Sequence, residues 1–151
     1  MTAPTPAQLA RRFDDFSVGQ VFSTYRRTVT EADLVSFVQF AGLRLPLFID
    51  DEHARASPHG GRIVPGFLTA SVSAGMLESV LGENTLAGLG MDEFRFRMPV
   101  RPGDTLGCLV SIEEKKPTRD PSRGVLTIAV KVTNQRGDSV LEYRASVLMQ
   151  A

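Results

Sequence analysis

The stretch QFAGLRLPLFIDDEHARASPHGGRIVPGFLTASVSAG, residues 39–75, decides the fold. It contains turn signals at Pro46 and at residues 57–61, and then Pro65-Gly66 opens a run of apolar and small residues. Proline and glycine there are typical of a helix start, so we predict a helix from Gly66 to about Leu81, stopped by Gly82. The small residues in this helix would let a sheet approach closely.

Segments with the two-residue period of strands follow this helix, which predicts an α+β fold in which an antiparallel sheet wraps around one central helix. Ahead of it, Thr30 and Asp33 form a capping-box pattern for a helix that starts at Glu31 and ends at Gly42. We predict strands at 21–29, 93–98, 106–112, 126–133 and 140–149, a turn at 84–90, a polar loop at 115–124, and a hairpin turn at 136–138.

Composition narrows the class of protein. The chain has 151 residues with 17 basic and 17 acidic side chains, which predicts one globular domain at 13–151 behind a loose arm at 1–12. Zero net charge gives no general attraction to nucleic acid or to a membrane. The sequence has no apolar run long enough to cross a membrane, and its single cysteine, Cys108, is predicted to be a buried thiol. We therefore expect a cytoplasmic protein. The sequence contains no Cys/His cluster of the kind that binds a metal ion.

The segment from Leu43 to Pro65 is long for an irregular connection, and such segments are usually either functional or disordered. Its apolar composition argues against disorder. It predicts a short helix at 50–56 capped by Asp50 or Asp51, with Arg62 pairing to one of these carboxylates. Its dense apolar cluster needs cover from protein or ligand. The cluster consists of Leu43, Leu45, Leu47, Phe48 and Ile49.

The start of the predicted central helix is the strongest candidate for chemistry. Gly66 in the first turn offers a backbone N–H backed by the helix dipole, which suits polarisation of a carbonyl oxygen. The alternative is a glycine needed only for the turn. Asp50 and His53 are candidates for proton transfer. The alternative, which the pattern favours, is that Asp50 caps a helix and that His53 and His59 are solvated surface groups. Arg123, in the basic loop, is a candidate for binding phosphate.

The order FAG, PL, DDExAR and SPxGGRIVxG followed by a small-residue helix resembles the MaoC-like hydratase/dehydratase family of hotdog proteins. The resemblance implies that Gly66 N–H binds the carbonyl of an acyl-CoA thioester, with Pro65, Phe67 and the apolar cluster around the acyl chain. It implies no cofactor apart from the CoA of the substrate. It also implies a homodimer, or a heteromer with another hotdog subunit.

Family hydratases use an aspartate and a histidine in a pattern of the form G-D-x-N-P-x-H. Aligned on Gly42 and Pro46, this chain has Leu43 and Phe48 at those two positions. Neither side chain can transfer a proton, so three functions stay open. They are an (R)-specific enoyl-CoA hydratase or dehydratase with other acid–base groups, a non-catalytic acyl-CoA-binding partner of an active hydratase, and a thioesterase that uses Asp50 or Glu52.

Overall fold

A computed structural model describes residues 10–151. Within these residues the chain forms a short 3-10 turn at Phe13–Asp15 and ten further elements. In chain order they are β1 (Val21–Ser23), β2 (Arg27–Thr28), α1 (Glu31–Ala41), α2 (Pro46–Ile49), α3 (Asp51–Ala56), α4 (Gly66–Leu81), β3 (Thr85–Phe96), β4 (Thr105–Pro117), β5 (Arg123–Thr133) and β6 (Ser139–Gln150).

Helix α1 has the start and the end that its sequence predicts. The Asp33 N–H donates to Thr30 Oγ1 at 3.1 Å, and the Thr30 N–H donates to Asp33 Oδ2 at 2.8 Å. These two bonds satisfy amides that the helix itself leaves unpaired. Gly42 ends the helix in the left-handed region, at φ 67°, which glycine adopts without steric cost.

The sheet is antiparallel with the order β1-β4-β5-β6-β3, and β2 pairs with β4 beside β1. One long helix, α4, packs on its apolar face, which confirms the predicted sheet around a central helix. The buried residues of α4 include Leu68, Ala70, Val72, Ser73, Met76, Leu77, Val80 and Leu81. Facing them are buried strand residues such as Leu106, Val110, Ile128, Val130 and Leu141, and the Cys108 thiol is buried there as predicted.

Three predicted boundaries are wrong. The single strand at 21–29 is broken between β1 and β2, where Thr24 Oγ1 donates to the Tyr25 carbonyl and accepts the Cys108 N–H, replacing regular ladder bonds. The predicted turn at 84–90 belongs to β3, because pairing with β6 extends the strand back to Thr85. The predicted loop at 115–124 shrinks to residues 118–122, because the β4–β5 ladder continues through exposed polar positions.

The predicted half-buried strand at 93–98 is more open than its alternation indicates. Phe96 is 51% exposed, because β3 is the last strand of the sheet and no element covers its outer edge within residues 10–151. Met98, which is 45% exposed, lies beyond the end of the strand.

The predicted arm at 1–12 falls mostly outside the described residues. Its last residues are hydrogen-bonded to the domain: Arg11 Nη1 donates to the Val80 carbonyl at 3.1 Å, and Asn84 Nδ2 donates to the Ala10 carbonyl at 2.9 Å. In the described part of the chain, no helix has the length and apolar character needed to cross a membrane.

Candidate functional site

The connection between α1 and α4 contains the predicted short helix, α3. Asp50 is its cap, with the His53 N–H donating to Asp50 Oδ1 at 3.0 Å. This confirms the prediction of a cap in this segment. Asp50 and His53 are both exposed.

Arg62 ties this connection to helix α1. Its Nε donates to Asp51 Oδ1 at 2.6 Å, and its Nη2 donates to Glu31 in the first turn of α1. The hydrogen bond to Glu31, followed by that to Asp51, raises the pKa of Arg62 above its ordinary value. The predicted pairing of Arg62 with a carboxylate of this segment is therefore confirmed for Asp51.

A second arginine holds the same connection from the side of the sheet. The Arg101 guanidinium donates to the His59 carbonyl, and the Arg101 N–H donates to the buried carboxylate of Asp104 at 2.9 Å. The Val64 N–H donates to the Val100 carbonyl at 2.7 Å. These hydrogen bonds fix residues 57–65 at both ends. They therefore also fix the position of the first turn of α4.

Helix α4 starts without a side-chain cap. Pro65 is the N-cap residue, and its carbonyl accepts the Leu68 N–H at 2.9 Å. Within residues 10–151, no acceptor lies in hydrogen-bonding geometry to the N–H of Gly66 or Phe67. Free first-turn amides at the positive end of the helix dipole can bind an oxygen that carries negative charge.

These amides lie beside a cavity of about 420 Å³ between the start of α4 and the end of β3. The cavity is mostly apolar, and His59 and Arg97 are the ionisable residues among those that line it. The lining residues are His59, Ile63, Val64, Gly66, Phe67, Thr69, Phe96, Arg97, Met98, Pro99, Val100 and Val140.

A close contact, rather than its backbone angles, accounts for glycine at position 66. A Cβ added there would lie 2.7 Å from Cε1 of Phe96 and 2.8 Å from Cζ, closer than carbon atoms approach in proteins. Its φ is not positive, so another residue could adopt the same turn. The absence of a side chain lets the Phe96 ring lie next to the free amide.

The structure brings together part of the predicted site. Gly66 and Phe67 line the cavity, with Pro65 buried behind them. The apolar cluster of residues 43–49 does not line it: Leu43, Leu47 and Phe48 are half-buried, and Leu45 and Ile49 are exposed.

Neither Asp50 nor His53 lines this cavity, so the geometry does not support the prediction that they transfer protons there. Arg123 is also remote. It begins β5 opposite Gln150, whose N–H donates to the Asn84 carbonyl just beyond the C-terminal end of α4. That end lies ~24 Å from Gly66 along a helix of 16 residues.

Sequence reasoning missed the β3 side of the cavity. Phe96, Met98 and Val140 face the start of α4 from the sheet. The alternation of Phe94, Phe96 and Met98 predicted a strand with one apolar face. Strand pairing between residues far apart in the sequence determines which part of α4 this face contacts.

Two buried polar groups pin the middle of α4 to the sheet. Ser73 Oγ lies 2.9 Å from Tyr143 Oη, and both residues are buried. Burial raises the pKa of Tyr143 to about 12, against a smaller lowering by Ser73. Burial likewise raises the pKa of Cys108 to about 12, which agrees with an unreactive thiol. Within residues 10–151, no three His, Cys, Asp or Glu side chains converge as metal ligands would.

Comparison with known proteins places the chain in a family. The profile of the MaoC like domain matches residues 15–134. An uncharacterized protein, YdeM of Bacillus subtilis, is 32% identical over 92% of this chain and 99% of its own length. The 3-hydroxybutyryl-CoA dehydratase of Methylorubrum extorquens is 32% identical over 78% of this chain and 74% of its own length.

Among solved structures, the unliganded R-hydratase PhaJ1 of Pseudomonas aeruginosa superposes with a TM-score of 0.78 at 29% identity. The match covers 91% of this chain and 84% of that one. With a family profile over most of its length and the fold of a solved hydratase, this chain belongs to the MaoC-like family of hotdog proteins.

Proposed function

We propose that this protein binds an acyl-CoA thioester at the start of α4, with the thioester carbonyl accepting the Gly66 N–H. The observation that carries the proposal is the uncapped first turn of α4 beside an apolar cavity. An uncapped helix start ordinarily costs about 1 kcal/mol relative to a capped one. A carbonyl oxygen in the cavity would use the amides that the fold leaves unpaired.

The cavity suits an acyl chain, because its wall consists largely of aliphatic and aromatic side chains such as Ile63, Phe67 and Met98. The relatives support the thioester as ligand class, because one of them carries the name 3-hydroxybutyryl-CoA dehydratase.

The reaction that fits this arrangement is reversible hydration of a 2-enoyl-CoA. A water hydroxyl adds to C3 and a proton goes to C2, while negative charge develops on the thioester oxygen. The Gly66 N–H would stabilise that charge, an effect that reaches 10²–10³-fold for comparable donors. His59 is the side chain on the cavity wall suited to taking the proton from water, and we assign it that role.

A second candidate is a non-catalytic acyl-CoA-binding subunit of an active hydratase. It is favoured by Leu43 and Phe48, which stand where the family pattern has its aspartate and histidine. A thioesterase has less support, because no carboxylate is among the residues that line the cavity and Asp50 is engaged as a cap.

The assembly that we propose is a homodimer, or a heteromer with another hotdog subunit, formed through the β3 edge. This strand exposes Leu86, Leu89 and Met91. An unpaired apolar edge strand is a template for pairing with another chain. Sedimentation velocity at micromolar concentration should show no monomer, and a monomer would contradict the proposed assembly.

One set of assays separates the functions. Calorimetry with saturated acyl-CoAs tests binding, loss of enoyl absorbance with crotonyl-CoA and longer enoyl-CoAs tests hydration, and a free-thiol assay tests hydrolysis. Hydration that falls about 10²-fold or more in His59→Gln supports the hydratase. Binding without turnover supports the partner subunit. If no acyl-CoA binds, the proposed function is wrong.

Restoring the missing pair tests the alignment of the loop. Although neither residue lines the cavity, the family alignment predicts that Leu43→Asp together with Phe48→His raises hydration above the parent. Each single change should do little, because orienting and deprotonating water needs both groups. The single Leu43→Asp variant should lose about 1 kcal/mol of stability, the lower end of the cost of an unsatisfied buried group, because Leu43 is half-buried. A folded, acyl-CoA-binding double variant with unchanged hydration would show that these positions do not face the substrate.

A further inference from the structure

Phe96 occupies a distinctive position at the start of α4. Its ring contacts the Cα side of Gly66, yet 51% of its surface is exposed. The ring therefore contacts the glycine, while about half of it stays open, and it lines the cavity. A ligand at the Gly66 amide would lie near this ring, because Gly66 and Phe96 line the same cavity.

A β-bulge in β3 aims Phe96 at that position. Between the Asp92–Arg144 and Arg95–Glu142 pairs, β3 has one more residue than β6. The extra residue is accommodated at Glu93, whose φ of 55° is the only positive value of a non-glycine residue within residues 10–151. Such a conformation is rare for glutamate, and bulges often redirect side chains near functional sites.

Strand phasing shows what the bulge changes. Met91 pairs with buried Ala145, so it lies on the helix side of the sheet. Strict alternation from Met91 would turn Glu93 and Arg95 toward the helix. With the extra residue, Phe96 pairs with buried Leu141 instead and faces α4.

Neighbouring aromatic rings support Phe96 from behind. Phe94 stacks on Tyr143 with centroids 4.8 Å apart and planes at 4°, and its centroid is 6.0 Å from that of Phe96. Tyr143 is held in turn by the buried bond to Ser73. The stack limits how far the Phe96 ring can retreat from a ligand.

We infer that Phe96 is the specificity-determining residue of the acyl site, and that it selects acyl groups without a substituent at C2. The inference rests on the proposed function, since it needs the thioester carbonyl at the Gly66 amide. With the carbonyl carbon there, C2 is the next atom along the chain and lies against the ring. A planar, unbranched enoyl group fits beside the ring, whereas a methyl group at C2, which lies in the plane of the enoyl group, would point into it.

Crotonyl-CoA and 2-methylcrotonyl-CoA are the probes, because they differ by one methyl group at C2. The parent protein should bind crotonyl-CoA at least tenfold more tightly, which is the discrimination that one carbon commonly produces. Phe96→Ala should reduce this ratio about tenfold, chiefly by improving binding of the branched thioester. Phe96→Leu, which keeps a branched side chain beside Gly66, should have an intermediate ratio.

Two variants serve as matched controls. Phe40→Ala removes a ring that is 91% exposed on α1 and does not line the cavity, so the ratio should stay that of the parent. Glu93→Gly keeps the bulge with a residue that favours positive φ, so it should retain the ratio and raise the melting temperature. Circular dichroism establishes that each variant is folded.

Equal binding of the two thioesters by the parent, or an unchanged ratio in folded Phe96→Ala and Phe96→Leu, overturns the role of Phe96 while the proposed function stands. If the parent binds neither thioester nor any saturated acyl-CoA, both fail. Gradual loss of the preference from parent to Phe96→Leu to Phe96→Ala, with both controls unchanged, is the result that we expect.

Discussion

Helices α1 and α4 begin in opposite ways. At the start of α1, the side chains of Thr30 and Asp33 satisfy the first amides from within the helix. At the start of α4, Pro65 provides no side-chain bond, and the described residues provide no acceptor for the Gly66 and Phe67 amides. The first arrangement stabilises the fold by itself, whereas the second leaves an anion-attracting position free for a ligand.

What holds α4 in the absence of a cap is contact with the rest of the domain. Ser73 and Tyr143 bond across the helix–sheet boundary, and Arg62 and Arg101 fix the segment that enters the helix. The position of the free amides is thus set by tertiary interactions.

The largest effect should come from filling the space at the open helix start. Gly66→Ala forces the Phe96 ring away from a Cβ that would otherwise lie 2.7 Å from it. A displacement of about 1 Å at a site can cost about 10²-fold, so we expect a loss of acyl-CoA affinity or turnover of that order, measured by calorimetry and enoyl absorbance.

Gly75→Ala is the matched control in the same helix. A Cβ at Gly75 would meet no atom within 4 Å, so this variant should keep its ligand affinity and gain about 0.5–1 kcal/mol in stability. If both alanine variants bind alike, the difference between the two helix starts has no bearing on ligand binding.

Breaking the bond that holds α4 to the sheet should have the next largest effect. Ser73→Ala leaves the Tyr143 hydroxyl buried without its partner, at a cost of about 1–3 kcal/mol in urea unfolding. Tyr143→Phe should cost less, because Ser73 Oγ still donates to the Ala70 carbonyl. The double variant should lose less than the sum of the two, and full additivity would contradict a direct bond.

The same pair predicts a response to alkaline pH. Burial raises the pKa of Tyr143 from 10.0 to about 12, so the phenol holds its proton more tightly in the folded protein than in the unfolded chain. This contribution is complete below pH 10 and is lost as the pH rises toward 12. Tyr143→Phe should lack that part of the alkaline destabilisation in unfolding curves measured across this range.

Removing the cap of α1 should have a smaller effect that is confined to stability. Thr30→Ala leaves the Asp33 amide without its side-chain acceptor and should cost about 1 kcal/mol by thermal or urea unfolding. Acyl-CoA affinity should be unchanged, since this helix start is closed by its own residues. A tenfold loss of affinity would mean that α1 also shapes the ligand site.

The smallest effect should be the acid dependence of the same cap. Hydrogen bonding to the Thr30 backbone is the main cause that lowers the pKa of Asp33 below 3.8. The carboxylate therefore stabilises the fold above about pH 4, and this contribution is lost as the pH falls through the folded-state pKa. The stability gap between the parent and Asp33→Asn should narrow below pH 4, and a constant gap would contradict the assignment.

The sequence by itself determined the elements that depend on neighbours within a few residues. The Thr30–Asp33 capping box, the Asp50 cap and the span of α4 between Pro65 and Gly82 follow from local geometry, which side chains three or four positions apart establish. The family resemblance is also local, because it depends on fixed spacings within residues 39–75.

Tertiary structure alone decided what surrounds the Gly66 amide. The bulge at Glu93, the reach of Arg62 to Glu31 and the placement of Phe96 all depend on contacts between residues far apart in the chain. In a strand, one extra residue reverses which side chains face the helix, and no local pattern reports that shift. The free amide at Gly66 could therefore be predicted from the sequence, whereas the position of the Phe96 ring depends on how the sheet pairs.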